Sequence, residues 1–257
     1  MHTTHLLPLL SLSLLGACAS VTTPPTAGAT LAVGNSYVFR GVPQVTHGVL
    51  QGDVHAAVTD EAGSTYSFMA WANMNLSEDG DDGVFAGGNG NKVAELDLIP
   101  EYSRKYEAWT FAAGAVNYNF PNGVGTSTTE GYVAAGHASM LNPKLTVYYD
   151  FEEVDGFYAM AAISHAWTVA KDVTVDAGLS LGFADENQGE IYWFDKSSGL
   201  ADLVGKVGVA YAWSPHVSLT AAVYGSTILS DDYRDALDTN DLDSDNFWFL
   251  IGSAWSF

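Results

Sequence analysis

Charged side chains are scarce in this chain, and six of them are placed to do chemistry: Arg40, Asp53, Glu95, Asp97, Glu101 and Asp176. Glu95, Asp97 and Glu101 are separated by even steps, so on an extended strand they share one face. Asp53 and Asp176 fall on the corresponding face of their own strands. Carboxylates gathered around a water-filled passage favour cations over anions. In a closed space the same acids would instead neutralise Arg40 and other inward groups, forming a polar plug. Both readings require an enclosed polar lumen, so the elements that would build one come next.

The chain has 257 residues, 30 Asp+Glu against 9 Lys+Arg and a formal net charge of -21. Such a balance excludes nucleic acid as a partner, which needs a basic surface to displace counterions. At 47% hydrophobic the chain is not an acidic disordered tail. Its apolar residues alternate with a period of two. Val173, Val175, Ala177, Leu179, Leu181 and Phe183 alternate with Thr174, Asp176, Gly178, Ser180 and Gly182. Trp109, Phe111, Ala113 and Ala115 alternate with Thr110, Ala112, Gly114 and Val116. Leu203, Val207, Val209, Tyr211 and Trp213 repeat the pattern. One face is apolar and the other carries small and polar residues, as for strands between lipid and an aqueous lumen.

The pattern predicts twelve strands, near 29–40, 47–59, 63–76, 92–104, 106–119, 127–140, 144–151, 155–168, 172–184, 200–213, 216–228 and 245–257. Most reach the roughly 9–11 residues that a tilted membrane strand needs. Alternate connections are short (60–63, 104–107, 141–143, 170–172, 214–216), whereas 77–91, 119–126, 184–199 and 229–245 are longer and rich in Gly, Asp and Asn. Only the 151–155 connection breaks that rule. Arg104, Lys105, Lys144 and Lys171 lie at the short turns. Glu78, Asp79, Asp81, Asp82 and seven aspartates from Asp231 to Asp245 lie in the long loops. Short turns on one side and long loops on the other are the plan of an outer-membrane barrel. The fold expected is all-β, a single antiparallel transmembrane β-barrel over 29–257, in the bacterial outer membrane.

The first 19 residues read as a signal peptide. Leu6–Leu15 is an apolar stretch too short to span a bilayer, followed by small residues. Ala17-Cys18-Ala19 fits ordinary cleavage before Ser20. Leu15-Gly16-Ala17-Cys18 also resembles a lipobox, which would make Cys18 a lipid anchor, with residues 20–28 as a flexible linker in either case. At the other end Gly252, Trp255 and terminal Phe257 resemble the signal read by the barrel assembly machinery. The remaining partners expected are outer-membrane lipids, lipopolysaccharide and small solutes or ions.

The stretch Tyr37-Val38-Phe39-Arg40-Gly41, with Gln44 beyond it and Leu50-Gln51-Gly52-Asp53 in the next strand, resembles the TorF (Gcw_chp) family of outer-membrane porins. Glu95-Leu96-Asp97-Leu98 and Leu145–Asp150 look similar to that family's fourth and seventh strands. Pro43 stands where the family commonly has Ser, and the 77–91 and 229–245 loops are particular to this chain. The resemblance covers most of 30–185 and implies an outer-membrane β-barrel with pore function. On the alternation itself, Leu31, Val33, Tyr37 and Phe39 are expected to face lipid, with Tyr37 and Phe39 in the external aromatic girdle. Gly34, Ser36, Val38 and Arg40 are expected to face the lumen.

Three other constellations are weaker. Asp241, Asp243 and Asp245 have the 1-3-5 spacing of an EF-hand, but Asn246 and Gly252 replace its Gly and Glu, so a solvated acidic loop is expected and no metal site. His137-Ala138-Ser139 resembles the His-x-Ser of twelve-stranded outer-membrane phospholipases, yet Met140 and Leu141 follow where that family has Asn-Gly, and the pair falls at the periplasmic end. His55 and His165 are expected as isolated lumen residues. Trp193 and Phe194 either fold inward or lie on the membrane surface. No catalytic residue and no cofactor are predicted. The function expected is passive diffusion of small hydrophilic solutes with a cation preference. Alternatives are a closed structural or adhesive barrel working through its acidic loops and, more remotely, a lipid hydrolase.

Overall fold

The computed structural model describes residues 24–77, 83–84, 90–122 and 125–257. The signal segment with Cys18, the first residues of the linker, and the acids Glu78, Asp79, Asp81 and Asp82 lie outside the described residues. β1 (Thr26–Gly34) leads to two short strands, β2 (Tyr37–Phe39) and β3 (Val42–Val45), and then to β4 (Val49–Thr59), β5 (Ser64–Asn75), β6 (Lys92–Tyr106), β7 (Trp109–Asn119) and β8 (Thr128–His137). There follow β9 (Lys144–Asp150), β10 (Gly156–Ala170), β11 (Val173–Ala184), helix α1 (Glu186–Tyr192), β12 (Gly199–Ser214), β13 (Val217–Ile228), helix α2 (Asp231–Thr239) and β14 (Asp245–Ser256).

Twelve of these strands, β1 and β4 to β14, form one closed antiparallel barrel, sealed where β1 pairs with both β4 and β14. Closure satisfies every ladder and leaves no edge, as a bilayer requires. The outward residues are apolar and uncovered, among them Leu31, Val54, Phe111, Leu145, Val207 and Ile251. In water such a wall would aggregate; in lipid it is the stable arrangement. Glu107, Asn142 and Asp172 take left-handed backbone conformations at the short turns. In β14, Gly252 lies opposite Ala32, Trp255 opposite Ala29, and the Phe257 amide donates to the Ala27 carbonyl at 2.9 Å. Strand pairing starts at Thr26, inside the segment expected as linker.

The first strand departs from expectation. It ends at Gly34, where the Asn35 side chain accepts a hydrogen bond from the Phe249 amide at 2.8 Å. The chain then turns into the barrel as the β2–β3 hairpin. Its tip is the pair Arg40-Gly41, both at positive φ (49° and 79°). That is the two-residue type I′ connection, for which glycine is well suited. Tyr37 and Phe39 therefore do not join the lipid girdle. Tyr37 is buried against Trp71 at 5.5 Å, and Phe39 lies between Tyr118 and Tyr192 at 6.0 and 5.7 Å.

Two long loops fold the same way. Asp185 caps α1, its carboxylate accepting from the Gln188 amide at 2.9 Å. Ser230 caps α2, whose first turn holds Asp231 and Asp232 where the helix dipole favours negative charge. Trp193 is fully buried and stacks on Tyr233 of α2 at 5.2 Å, while Phe194 stays exposed. The 229–245 loop is thus more than a solvated acidic segment. Its aspartates face outward, but Tyr233 and Leu237 join Val42, Tyr158, Ala184, Trp193, Ala201, Ile228 and Leu242 in the main apolar cluster. The apolar core of this barrel sits inside its long-loop mouth.

Candidate functional site: a closed mouth and the chamber beneath it

The hairpin carries Arg40 to the centre of the mouth. There the guanidinium donates from Nη2 to Glu130 Oε2 at 2.6 Å and from Nη1 to Gln188 Oε1 at 2.9 Å. Glu130 projects inward from β8, opposite Val116 and Asp150 on its two neighbours. Its Oε2 also accepts from the Tyr118 hydroxyl at 3.0 Å. Both partners of the ion pair are almost wholly buried, with side-chain exposures of 5% and 0%. Four rings surround the guanidinium: Tyr158, Phe39, Tyr192 and Tyr148, at 4.2, 4.8, 5.1 and 5.4 Å from their centroids. A delocalised, weakly hydrated cation suits such an aromatic box. Hairpin, barrel wall and α1 therefore meet at one charge. Beside it the Tyr158 hydroxyl donates to Asp202 of β12 at 2.8 Å, and Asn246 of β14 donates to the Gly41 carbonyl at 3.0 Å.

Below the hairpin tip lies a chamber of about 460 Å³. Its roof is Tyr37 to Gly41 and its lower wall includes Met69, Ile99 and Val204 from the middle of their strands. Trp71, Tyr118, Tyr224 and Trp248 supply aromatic walls, and Tyr224 and Trp248 stack at 5.0 Å. Asp97 lines this chamber. Glu95 is one turn of the pleat above it, opposite Asn73, and is bonded by the Tyr37 hydroxyl. Glu95 and Asp97 are 3% and 7% exposed, and each keeps one buried carboxylate oxygen without a hydrogen-bond partner, Oε2 and Oδ1 respectively.

The six residues singled out from the sequence fall in three places. Arg40, Glu95 and Asp97 converge on the chamber and its roof. Asp53, on β4, accepts from the Thr30 hydroxyl and from His55 Nδ1, the latter at 2.6 Å, so His55 is an inward residue with a partner. Glu101 accepts from the Tyr132 hydroxyl at 2.8 Å, and Asp176 pairs with Lys206 Nζ at 2.8 Å. These last lie towards the short-turn half of the lumen. His165 is a correction: it shares the outward face of β10 with Ile163 and Trp167, packs on the Trp167 ring at 4.6 Å and bonds the Met140 carbonyl. His137 meets the Trp109 ring edge-on at 4.8 Å beside the short turn, and Ser139 lies exposed within that turn.

Glu130, Gln188, Tyr158 and Asp202 were not singled out. Glu130 carried a usable signal, being a lone acid on the polar face of an alternating strand. Its partner Arg40 is 90 residues away, so the pairing itself had no local mark.

No protein-family model and no curated protein matches the chain. Solved structures do resemble it. A COG4313 outer membrane channel from Pseudomonas putida F1 superposes with a TM-score of 0.54 at 13% identity, covering 92% of this chain and 97% of that one. The NanC porin superposes with a TM-score of 0.51 at 12% identity, covering 88% and 98%. At such identities the likeness establishes the fold alone, a closed twelve-stranded β-barrel of the outer-membrane kind.

Proposed function

We propose that this protein is an outer-membrane channel for small hydrophilic solutes, cation-preferring, whose external mouth is closed in the conformation described. The observation that carries this reading is the acidic, aromatic chamber inside a closed barrel, roofed by a hairpin that is joined to the wall by side chains and not by strand pairing. Twelve strands enclose a lumen between the filled eight-stranded and the open sixteen-stranded sizes. A lumen of that width is open or shut according to what folds into it. The cation preference rests on Glu95 and Asp97, two buried carboxyl groups with which no basic side chain among the described residues forms an ion pair, whereas Arg40 and Lys206 are each paired with a carboxylate. Membership of the TorF family rests on the sequence of Tyr37–Gly41 and the stretches that accompany it, and belongs to the same reading. So do export by the 1–19 signal, a lipid anchor or cleavage at Cys18, recognition of Gly252, Trp255 and Phe257 during assembly, and lipopolysaccharide around the external rim.

A second reading is a closed barrel acting through its acidic outer surface. The dense packing of α1, α2 and the hairpin in the mouth favours it. Planar-bilayer recording separates the two, comparing the wild-type barrel with one in which residues 36–46 are replaced by a short Gly-Ser linker. The channel reading expects the linker variant to conduct in discrete steps and to show a cation-selective reversal potential under a salt gradient. A folded, heat-modifiable variant that stays silent would overturn it.

A further inference from the structure

Two groups of acids and rings border one chamber, and among the described residues the Arg40 guanidinium, which lines that chamber, pairs with an acid of the first group and not of the second. At the first, Glu130 and four rings surround the guanidinium of Arg40. At the second, Glu95 and Asp97 lie among Tyr37, Trp71 and Tyr118, and each acid has a buried oxygen without a partner. Buried carboxylate oxygens of that kind are expensive unless a cation or a proton meets them. Among the described residues no Lys, Arg or His forms an ion pair with either acid, and no group of three or more His, Cys, Asp or Glu is placed to hold a metal ion. A hard metal ion would want about six oxygen ligands. Two carboxylates among aromatic rings suit a different cation, one that is weakly hydrated and can be held by ring faces as well as by charge. The chamber volume, about 460 Å³, lies within the range of small-molecule sites.

We infer that the chamber is a binding site for small organic ammonium ions, with Asp97, backed by Glu95, as the anionic anchor and Trp71 and Tyr37 as the ring faces. Guanidinium and substituted ammonium ions are both organic cations that ring faces can hold, and Arg40 shows that this lumen accommodates one such cation. Entry from the short-turn side would leave the hairpin roof undisturbed. This inference names the solute class for the proposed channel and rests on that reading for its physiological use, but binding itself requires no conduction.

The test is therefore a binding measurement on the full barrel refolded in detergent. Tetramethylammonium and butylammonium are titrated while tryptophan fluorescence is followed, with sodium chloride and neutral butanol as matched controls. Saturable quenching by the ammonium ions alone is expected, weakened by about thirtyfold or more in Asp97→Asn, in line with losing one partner of a buried charge pair. Equal response to sodium, equal response to butanol, or an unchanged affinity in Asp97→Asn would each overturn the inference. Folding of the variant is checked by heat-modifiability on gels. Should Asp97→Asn not fold, Trp71→Leu takes its place, and undiminished affinity there overturns the ring-face assignment. A barrel that binds ammonium but never conducts would refute the channel and leave the site standing. One that conducts without binding would do the reverse.

Discussion

Two ion pairs stand in the same lumen with nearly the same geometry and opposite circumstances. Arg40–Glu130 closes at 2.6 Å with both side chains buried; Lys206–Asp176 closes at 2.8 Å with side-chain exposures of 38% and 35%. The first is walled by rings and tied to Gln188 and Tyr118. The second joins the adjacent strands β11 and β12 along the solvated wall. A wet pair loses little when broken, because water replaces the partner. A dry pair leaves behind an uncompensated charge. The lumen thus has a dry half and a solvated half, and the ion that matters to the mouth is the one water cannot reach.

The comparison can be broken most directly at Glu130. Glu130→Ala strands the Arg40 guanidinium among four rings and is expected to destabilise the mouth by about 3–5 kcal/mol, read as a lower unfolding temperature and as faster proteolysis within the hairpin. Replacing both partners by apolar side chains, Arg40→Met with Glu130→Leu, is expected to recover most of that loss, because the desolvation cost goes with the charges. A double variant no better than the single one would show that the pair is worth more than its burial costs. Next in size, Tyr158→Phe deletes the hydroxyl donated to buried Asp202, with an expected loss of about 1–3 kcal/mol in the same unfolding assay. Lys206→Ala, in the solvated half, is expected to change stability by about 0–1 kcal/mol, and salt is expected to erase the difference.

The barrel was legible because its signal is local. Each strand alternates between lipid and lumen, and Leu179 or Val207 reveals its side without reference to any distant residue. The mouth was not legible for the opposite reason. Tyr37-Val38-Phe39 alternates like a membrane strand, and only the two-residue turn Arg40-Gly41 marks it as a hairpin; whether that hairpin points inward depends on Glu130 and Gln188, far away in sequence. The 229–245 loop did carry a sign. Tyr233 and Leu237 are four apart, hence on one face of a helix, with aspartates on the rest, but the density of acids masks it. His165 was misplaced by its polarity, although its neighbours two residues away, Ile163 and Trp167, mark an outward face. Of the candidate site, Glu95 and Asp97 followed from parity. The aromatic walls around them come from six other strands, β5, β7, β9, β10, β13 and β14, and from the hairpin, which no local pattern brings together.

The claim that most needs testing is that Arg40 holds the mouth shut. Single-channel recording of Arg40→Ala beside the wild type, in the same bilayer and salt, tests it directly. Rare or small openings are expected for the wild type, and frequent, larger, cation-selective openings for Arg40→Ala. Indistinguishable traces from the two folded barrels would contradict it.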